Sequence, residues 1–178
     1  MKTITIKLYS FSELSKEAQQ KVLENLSHIN VDHGWWESTY EDAKNIGLKI
    51  TGFDLDRARH AKGEFLLSAD EVAQNILKSH GDACETYKTA QKFIDECKIV
   101  ISSTPVVFEE GTDDEFEDYS DRNFQIEELE QAFLESLLED YFIILQNECE
   151  YLQSKEAIIE TIEANEYTFE ENGKMRNG

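Results

Sequence analysis

Basic side chains are scarce in this sequence, and the scarcity is greatest in its second half. The 178 residues include 17 Lys and Arg against 38 Asp and Glu, so the formal net charge is −21. Residues 101–178 contain only 4 of the basic side chains but 22 of the acidic ones, a net charge of −18. Such a chain repels anionic ligands, so we expect no direct binding to DNA or to an anionic membrane.

Cysteine and long apolar runs are scarce as well. Cys84, Cys97 and Cys149 are odd in number and lack metal-ligand or redox spacing, and each lies beside apolar residues in a helix-like stretch. We therefore expect buried or half-buried thiols. The opening MKTITIKLYS has no apolar signal core, and no run approaches the roughly 20 apolar residues of a membrane span. These absences predict a cytoplasmic protein without membrane association.

Familiar catalytic motifs are missing too. The sequence has no phosphate-binding glycine loop, no nucleophile elbow, no zinc-binding His pair on a helix and no Cys-based metal pattern. Its four histidines fall near the ends of predicted elements, where a lone imidazole is commonly a cap or a solvated side chain. The acidic run lacks the residue order of a calcium loop. We therefore expect a protein that is not an enzyme and has no cofactor and no metal site.

What the sequence does contain is enough apolar material for a folded core. Hydrophobic residues make up 40% of the chain and aromatic residues 11%, more than acidic disordered chains have. The length suits one domain over residues 1–178.

Alternating polar and apolar residues predict a small antiparallel sheet. Residues 3–9 would form a half-buried strand with Ile4, Ile6 and Leu8 on one face. Residues 48–55 and 64–67 would pair as a hairpin beside that strand, and residues 167–169 would add a closing strand. The sequence therefore predicts three to four strands packed against several helices, an α+β fold. Residues 99–101 and 106–108 are open between a strand pair and an apolar loop.

Caps and helical spacing predict the helices. Ser12 or Ser15 would begin the first helix, Gly47 would end the second, and Ser68 and Gly81 would begin and end the third. A fourth helix over residues 82–98 would bury Cys84, Tyr87 and Ile94. A long acidic amphipathic helix would cover residues 123–152, and Ser154 would cap the last helix. The long helix would bury one stripe made of Phe124, Leu134, Leu138, Phe142, Leu145, Cys149 and Leu152.

The acidic residues concentrate in two neighbouring stretches. Residues 109–121 hold eight carboxylates, and we interpret 109–122 as an acidic segment that is either flexible or the start of a binding surface. Residues 127–150 hold eight more. In a helix they would span about 36 Å, or one carboxylate per about 4.5 Å, against about 3.4 Å between phosphates of a DNA strand. Two interpretations remain open: a nucleic-acid mimic, or an ordinary helix with a solvated acidic face.

These patterns give a set of candidate partner-binding residues. They are Glu109, Glu110, Asp113, Asp114, Glu115, Phe116, Glu117, Asp118, Tyr119, Glu128, Glu135 and Glu139. Phe116, Tyr119 and Tyr141 would be the natural anchors if they are exposed.

One basic island interrupts the acidic pattern. Arg57, Arg59 and Lys62 fall in the predicted hairpin connection, where they would contact RNA or form a solvated turn paired with Asp54 and Asp56. The sequence leaves both interpretations open.

The stretch YSFSELSKEAQQKV, residues 9–22, resembles a strand-then-helix start found in small uncharacterised proteins of phages and other mobile elements. The resemblance covers about 20 residues and transfers no functional residue. It implies a context in which small acidic proteins often act as anti-defence factors, including nucleic-acid-mimicking inhibitors of restriction enzymes and of RNA-guided CRISPR nucleases.

The leading hypothesis is therefore a phage-type anti-defence inhibitor, anti-CRISPR or anti-restriction, acting in the host cytoplasm. Its partner would be a basic nucleic-acid-binding protein, namely a host defence nuclease or its guide-RNA complex. One alternative is an antitoxin-like or accessory protein that neutralises a basic protein partner. Another is an enzyme with an unfamiliar acidic site, for which tight binding of Mg²⁺ or Mn²⁺ would be the sign. The apolar faces of the long helix also leave a homodimer open.

Overall fold

The computed structural model describes residues 6–103 and 115–176, with side chains of the second range described from Arg122 onward. Within these ranges the chain forms six α-helices and two antiparallel sheets of two strands each, which confirms the α+β class. The residues divide into two compact units. Glu37–Leu145 form what we call the central unit, and Met1–Trp36 together with Gln146–Gly178 form the terminal unit.

The central unit combines one hairpin with four helices. Its elements are α2 (Glu37–Ile46), β1 (Leu48–Asp54), β2 (His60–Phe65), α3 (Ala69–Ser79), α4 (Glu85–Ser103) and α5 (Glu115–Leu152) as far as Leu145. Gly47 ends α2 with a φ of 96°, a conformation that favours glycine. Ser68 begins α3 through a capping box with Glu71.

The core of the central unit forms where the hairpin and the helices bury their apolar faces. Leu48 and Ile50 alternate inward along β1, and α5 contributes Phe133 and Leu137. The ring of Phe133 stacks on Phe93 of α4, with 4.5 Å between centroids. Aromatic pairs of this kind contribute about 0.5–1.5 kcal/mol beyond the area they bury. This packing fixes which face of α5 remains in solvent.

The terminal unit is assembled from the two ends of the chain. A 3₁₀ turn (Phe11–Glu13) and α1 (Lys16–Asn25) come from one end, and α6 (Lys155–Ala164), β3 (Thr168–Phe169) and β4 (Met175–Arg176) come from the other. Its core comprises Phe11, Leu14, Val22, Ile158, Ile162 and Phe169 among others.

One amide ties the two ends of the chain together. The Asn30 side chain donates to the carbonyl of Leu152 at 2.9 Å and accepts from the Thr161 hydroxyl at 2.7 Å. Both bonds are partly buried, where an unmet amide group is costly. Asn30 therefore fixes the residues after α1 against α6 and the end of α5.

The predicted sheet is larger than the observed ones. Within the described ranges, β1 pairs with β2 and β3 with β4, and no sheet has more than two strands. The predicted strand at residues 3–9 is wrong over its described part, because Tyr9 forms a single bridge to Phe169 while Ile6 and Leu8 are 48% and 46% exposed. Alternation in a short segment does not by itself supply a partner strand or a covering layer.

Several helix predictions also need correction. α5 begins at Glu115, eight residues before the predicted start at 123, and residues 99–101 belong to α4. Cys84 is exposed, whereas Cys97 and Cys149 are half-buried. Phe124, predicted to be buried, is 60% exposed. The single domain predicted over 1–178 and the flexibility of 109–122 remain predictions.

Candidate functional site

The outward face of α5 in the central unit is its most strongly charged surface element. The sequence contains no Lys or Arg from Asn123 to Ser154, so no basic neighbour along the helix can neutralise its carboxylates. Because the buried face carries Phe133 and Leu137, residues about half a turn away point outward. We call the exposed residues Glu128, Glu135 and Glu139 the acidic stripe.

The geometry of the acidic stripe follows from helical spacing. Seven and four residues separate its members, so all three lie on one face. At about 1.5 Å per residue they are about 10 Å and 6 Å apart, or one carboxylate per about 8 Å. The predicted spacing of about 4.5 Å counted carboxylates on every face of the helix. The acidic stripe is therefore sparser than a phosphate backbone, and its spacing suits separate Lys or Arg side chains on a protein.

Among the described residues, the acidic stripe has no cationic partner. The Lys and Arg ion pairs found there, such as Lys49 with Glu64 and Arg176 with Glu170, lie elsewhere. Glu135 accepts a hydrogen bond from Gln131 at 2.7 Å, which orients its carboxylate without neutralising it. Glu135 and Glu139 are also four residues apart, a like-charge spacing that destabilises a helix by about 0.2–0.5 kcal/mol.

Asp140 lies beside the acidic stripe but is held inside the fold. Its carboxylate accepts a hydrogen bond from the Thr89 hydroxyl of α4 at 2.7 Å. Burial raises the pKa of Asp140 above its usual range; the Thr89 bond opposes the shift, and the charges of Glu85 and Glu139 add to it. Asp140 thus serves packing between α4 and α5 and is not available to a partner in the way the stripe is.

Tyr141, a candidate anchor on the condition that it is exposed, is buried and cannot serve as one. Its hydroxyl donates to Asp42 of α2 at 2.7 Å, and its side chain is fully excluded from solvent. Burial raises the pKa of Tyr141 far above its usual value, and the bond to Asp42 and the charge of Asp42 act in the same direction. Its role is to join α5 to α2.

Asp42 also lies near His80, which takes part in a second set of polar contacts. His80 Nε2 lies 3.7 Å from Asp42 Oδ1, too far for a hydrogen bond, while His80 Nδ1 lies 2.7 Å from the Thr86 hydroxyl. A hydroxyl, an imidazole and a carboxylate in sequence suggest a nucleophile and its base. However, Thr86 is only 3% exposed, so its hydroxyl is inaccessible to a substrate and the arrangement links α2, α3 and α4.

The remaining predicted partner-binding residues divide into two groups. Glu109, Glu110, Asp113 and Asp114 lie outside the described residues. Glu115, Phe116, Glu117, Asp118 and Tyr119 fall in the first turns of α5, where the backbone but not the side chains is described.

The basic island is distributed between a turn and a strand. Arg57 and Arg59 are exposed in the connection after β1, and Lys62 is exposed on β2. Asp54 accepts hydrogen bonds from the backbone amides of Asp56 and Arg57, both at 2.9 Å. These bonds hold the pKa of Asp54 below its usual range. The Arg59 guanidinium lies 5.8 Å from the centre of the Phe142 ring, a cation–π contact with α5.

No metal centre is evident in the described ranges, since no group of three or more His, Cys, Asp or Glu is placed to hold an ion. Of the helices described there, none combines the length and the apolarity needed to cross a membrane. The chain matches no protein-family model, no curated protein and no solved structure. The charged surface of α5 is therefore the feature that bears on function.

The outward position of Glu128, Glu135 and Glu139 follows from the sequence, whereas the polar contacts on the buried side of α5 do not. Asp42 and Tyr141 are 99 positions apart, and Thr89 and Asp140 are 51 apart. No local pattern marks such pairs. The only available signal was a Tyr at an apolar position of α5, since a buried Tyr usually finds a hydrogen-bond partner.

Proposed function

We propose that the protein binds a basic surface of another protein through the acidic stripe, and that this partner is a nucleic-acid-binding protein. The observation that carries the proposal is the one-sided charge of α5: three outward glutamates on a helix stretch without a single Lys or Arg. Helices normally carry both signs, because i,i+4 pairs of opposite charge stabilise them. A surface that gives up this stabilisation is suited to a cationic partner, which the charge also steers into place.

We further propose that the partner belongs to a host defence system, as a nuclease or its guide-RNA complex. The support is the combination of the acidic surface with the resemblance of residues 9–22 to phage and mobile-element proteins. Binding there would occupy the Lys and Arg side chains that otherwise grip nucleic acid, and so inhibit the enzyme. The spacing of the stripe favours contact with individual basic side chains over imitation of a continuous strand.

The test identifies the proteins that this chain captures and measures how charge-reversal variants change their binding. The tagged chain is incubated with bacterial lysate at low and at moderate salt, and bound proteins are identified by mass spectrometry. We expect a nucleic-acid-binding protein that is lost as salt rises and is displaced by added DNA or RNA. Reversal of Glu128, Glu135 and Glu139 to Lys should weaken its binding by about tenfold or more.

A matched control separates the acidic stripe from total charge. Glu41, Asp56 and Asp82 are exposed acidic residues of the same unit, and their reversal to Lys changes the net charge equally. This control variant should retain most of the binding. Equal losses in the two variants would mean that net charge alone attracts the partner, and undiminished binding by the stripe variant would refute the proposal. A partner that binds no nucleic acid would favour the antitoxin-like alternative.

A further inference from the structure

The terminal unit contains an open cleft of about 320 Å³ between its 3₁₀ turn and the end of α6. Buried Phe11 and Ile162 and half-buried Tyr167 supply its apolar lining. Exposed Glu163 and Glu166 also belong to the residues that line the cleft. Its volume is near the lower end of ligand sites, which suits one long side chain better than a drug-sized molecule.

The end of α6 adds further negative potential at this cleft. α6 has ten residues and no basic side chain in its last turn, although helix C-termini favour Lys, Arg or His there. Its final carbonyls carry partial negative charge, and Glu163 lies in that last turn. Among the described residues, neither Glu163 nor Glu166 has a cationic partner.

The backbone after α6 determines where Glu166 lies. The Tyr167 amide donates to the Ile162 carbonyl and the Glu166 amide to the Glu163 carbonyl, both at 3.1 Å. These two bonds form a Schellman motif, in which the residue after the C-cap is left-handed and is usually Gly. Here that residue is Glu166, with a φ of 52°. The motif thus places a glutamate among the lining residues at the negative end of a helix.

We propose that this cleft binds the side chain of a Lys or Arg from a basic protein partner. The methylene groups pack on Phe11, Ile162 and Tyr167, while the charged end contacts Glu163 and Glu166. An aliphatic stem with a cationic tip matches both halves of the lining, whereas a bare metal ion would leave the apolar part unused. The inference rests on the proposed function only for the source of that side chain; the chemistry of the cleft stands without it.

The experiment uses small probes, so that the cleft is tested without the unidentified partner. The isotopically labelled full chain is titrated by NMR with the blocked amino acids Nα-acetyl-lysine methylamide and Nα-acetyl-arginine methylamide. Nα-acetyl-norleucine methylamide is the neutral control with a similar stem. We expect the blocked Lys and Arg probes to cause saturable shifts at Phe11, Glu163 and Tyr167, with a dissociation constant on the order of a few millimolar. The blocked norleucine probe should bind at least about fivefold more weakly.

Substitutions then assign the preference to the two carboxylates. The double variant Glu163→Gln with Glu166→Gln should lose the preference for the cationic probes. The control pair Glu156→Gln with Glu171→Gln changes charge equally at exposed positions outside the lining and should keep it. Glu166→Gly removes one carboxylate while relieving the backbone, so weaker binding in this variant cannot be ascribed to unfolding.

Three results would overturn the inference. They are equal binding of the neutral and cationic probes, no saturable shift at about ten times the expected dissociation constant, and an unchanged preference in the double variant. Failure of these titrations leaves the acidic stripe untouched, just as failure of the capture experiment leaves the cleft untouched.

Discussion

Removing a single buried hydroxyl group, by Tyr141→Phe, should measurably destabilise the central unit. The substitution keeps the ring, which is fully buried, and deletes the donor that meets Asp42 at 2.7 Å. Loss of a hydrogen bond to a charged group lowers stability by about 1.5–3 kcal/mol when the acceptor is left without any partner. The Asp42 side chain is 53% exposed, however, so water replaces the lost donor. We therefore expect a loss of about 1 kcal/mol.

The assay has to report on the central unit alone. Trp35 and Trp36 belong to the terminal unit, so their fluorescence does not serve. Amide hydrogen exchange at Val72 and Ile76, which are fully buried in α3, measures the opening free energy of the central core. Tyr87→Phe is the control, because Tyr87 is half-buried in α4 of the same unit and its hydroxyl has no hydrogen-bond partner among the described residues. We expect the control to change the opening free energy by less than about 0.5 kcal/mol.

The stability difference between Tyr141→Phe and the unaltered protein should also depend on pH in the alkaline range. Because the folded state raises the pKa of Tyr141, its stabilising contribution is complete below the unfolded pKa of about 10 and is lost as pH rises beyond it. Phe cannot ionise, so Tyr141→Phe lacks this loss. Amide exchange is too fast to follow above pH 10, so the difference is measured there by urea unfolding. It should vanish within about one pH unit above 10, since each unit is worth about 1.4 kcal/mol. A difference below about 0.3 kcal/mol at neutral pH, or one that grows above pH 10, would refute this account of the bond.

Three further substitutions test other parts of the structure. Glu166→Gly should stabilise the terminal unit by about 0.5–1 kcal/mol in thermal unfolding, because Gly adopts the left-handed conformation without strain. Glu139→Lys should stabilise α5 by about 0.5 kcal/mol in urea unfolding, because it replaces a repulsion with Glu135 by an attraction, and high salt should abolish the gain. Asp140→Asn should stabilise the protein at neutral pH. Since the folded pKa of Asp140 is raised, its penalty appears as pH rises through that pKa, and the gain should vanish below about pH 4.

Features that depend on neighbouring residues could be predicted from the sequence. Ser15, Ser68 and Ser154 each accept a hydrogen bond from the amide three residues later, as predicted for N-caps. Gly47 ends α2 and Gly173 occupies the turn before β4, both at positive φ. These features are short-range hydrogen bonds and steric preferences, so they need no knowledge of the remaining fold.

The face of α5 that is buried was harder to predict. Phe133 and Leu137 are buried, whereas Leu134 and Leu138, which were predicted to belong to the buried apolar face, are half-buried. Adjacent apolar residues form two overlapping stripes with the same spacing, and only the partners decide between them. Here Phe65 and Phe93 receive the ring of Phe133, and these partners are distant in sequence.

The candidate site shows the same division. Glu128, Glu135 and Glu139 could be selected from helical spacing and charge alone, because an outward face needs no partner to be recognised. The cleft could not be predicted. Phe11 and Ile162 meet only after the two ends of the chain have come together, and the left-handed conformation of Glu166 has no sequence signal when the residue is not Gly or Asn.

The division of the terminal unit between the two ends of the chain has a consequence for synthesis on the ribosome. The hydrogen bonds of the Asn30 side chain can form only after Leu152 and Thr161 have been synthesised, 122 and 131 positions later. The central unit is continuous in sequence, so all of its residues are synthesised before the second half of the terminal unit. Folding of the central unit first would shorten the free loop that the terminal unit must close and lower its entropic cost. We therefore expect nascent chains stalled after the central unit, with a linker long enough to bring Leu145 out of the ribosome, to protect that unit from proteases while residues 6–36 remain open to cleavage.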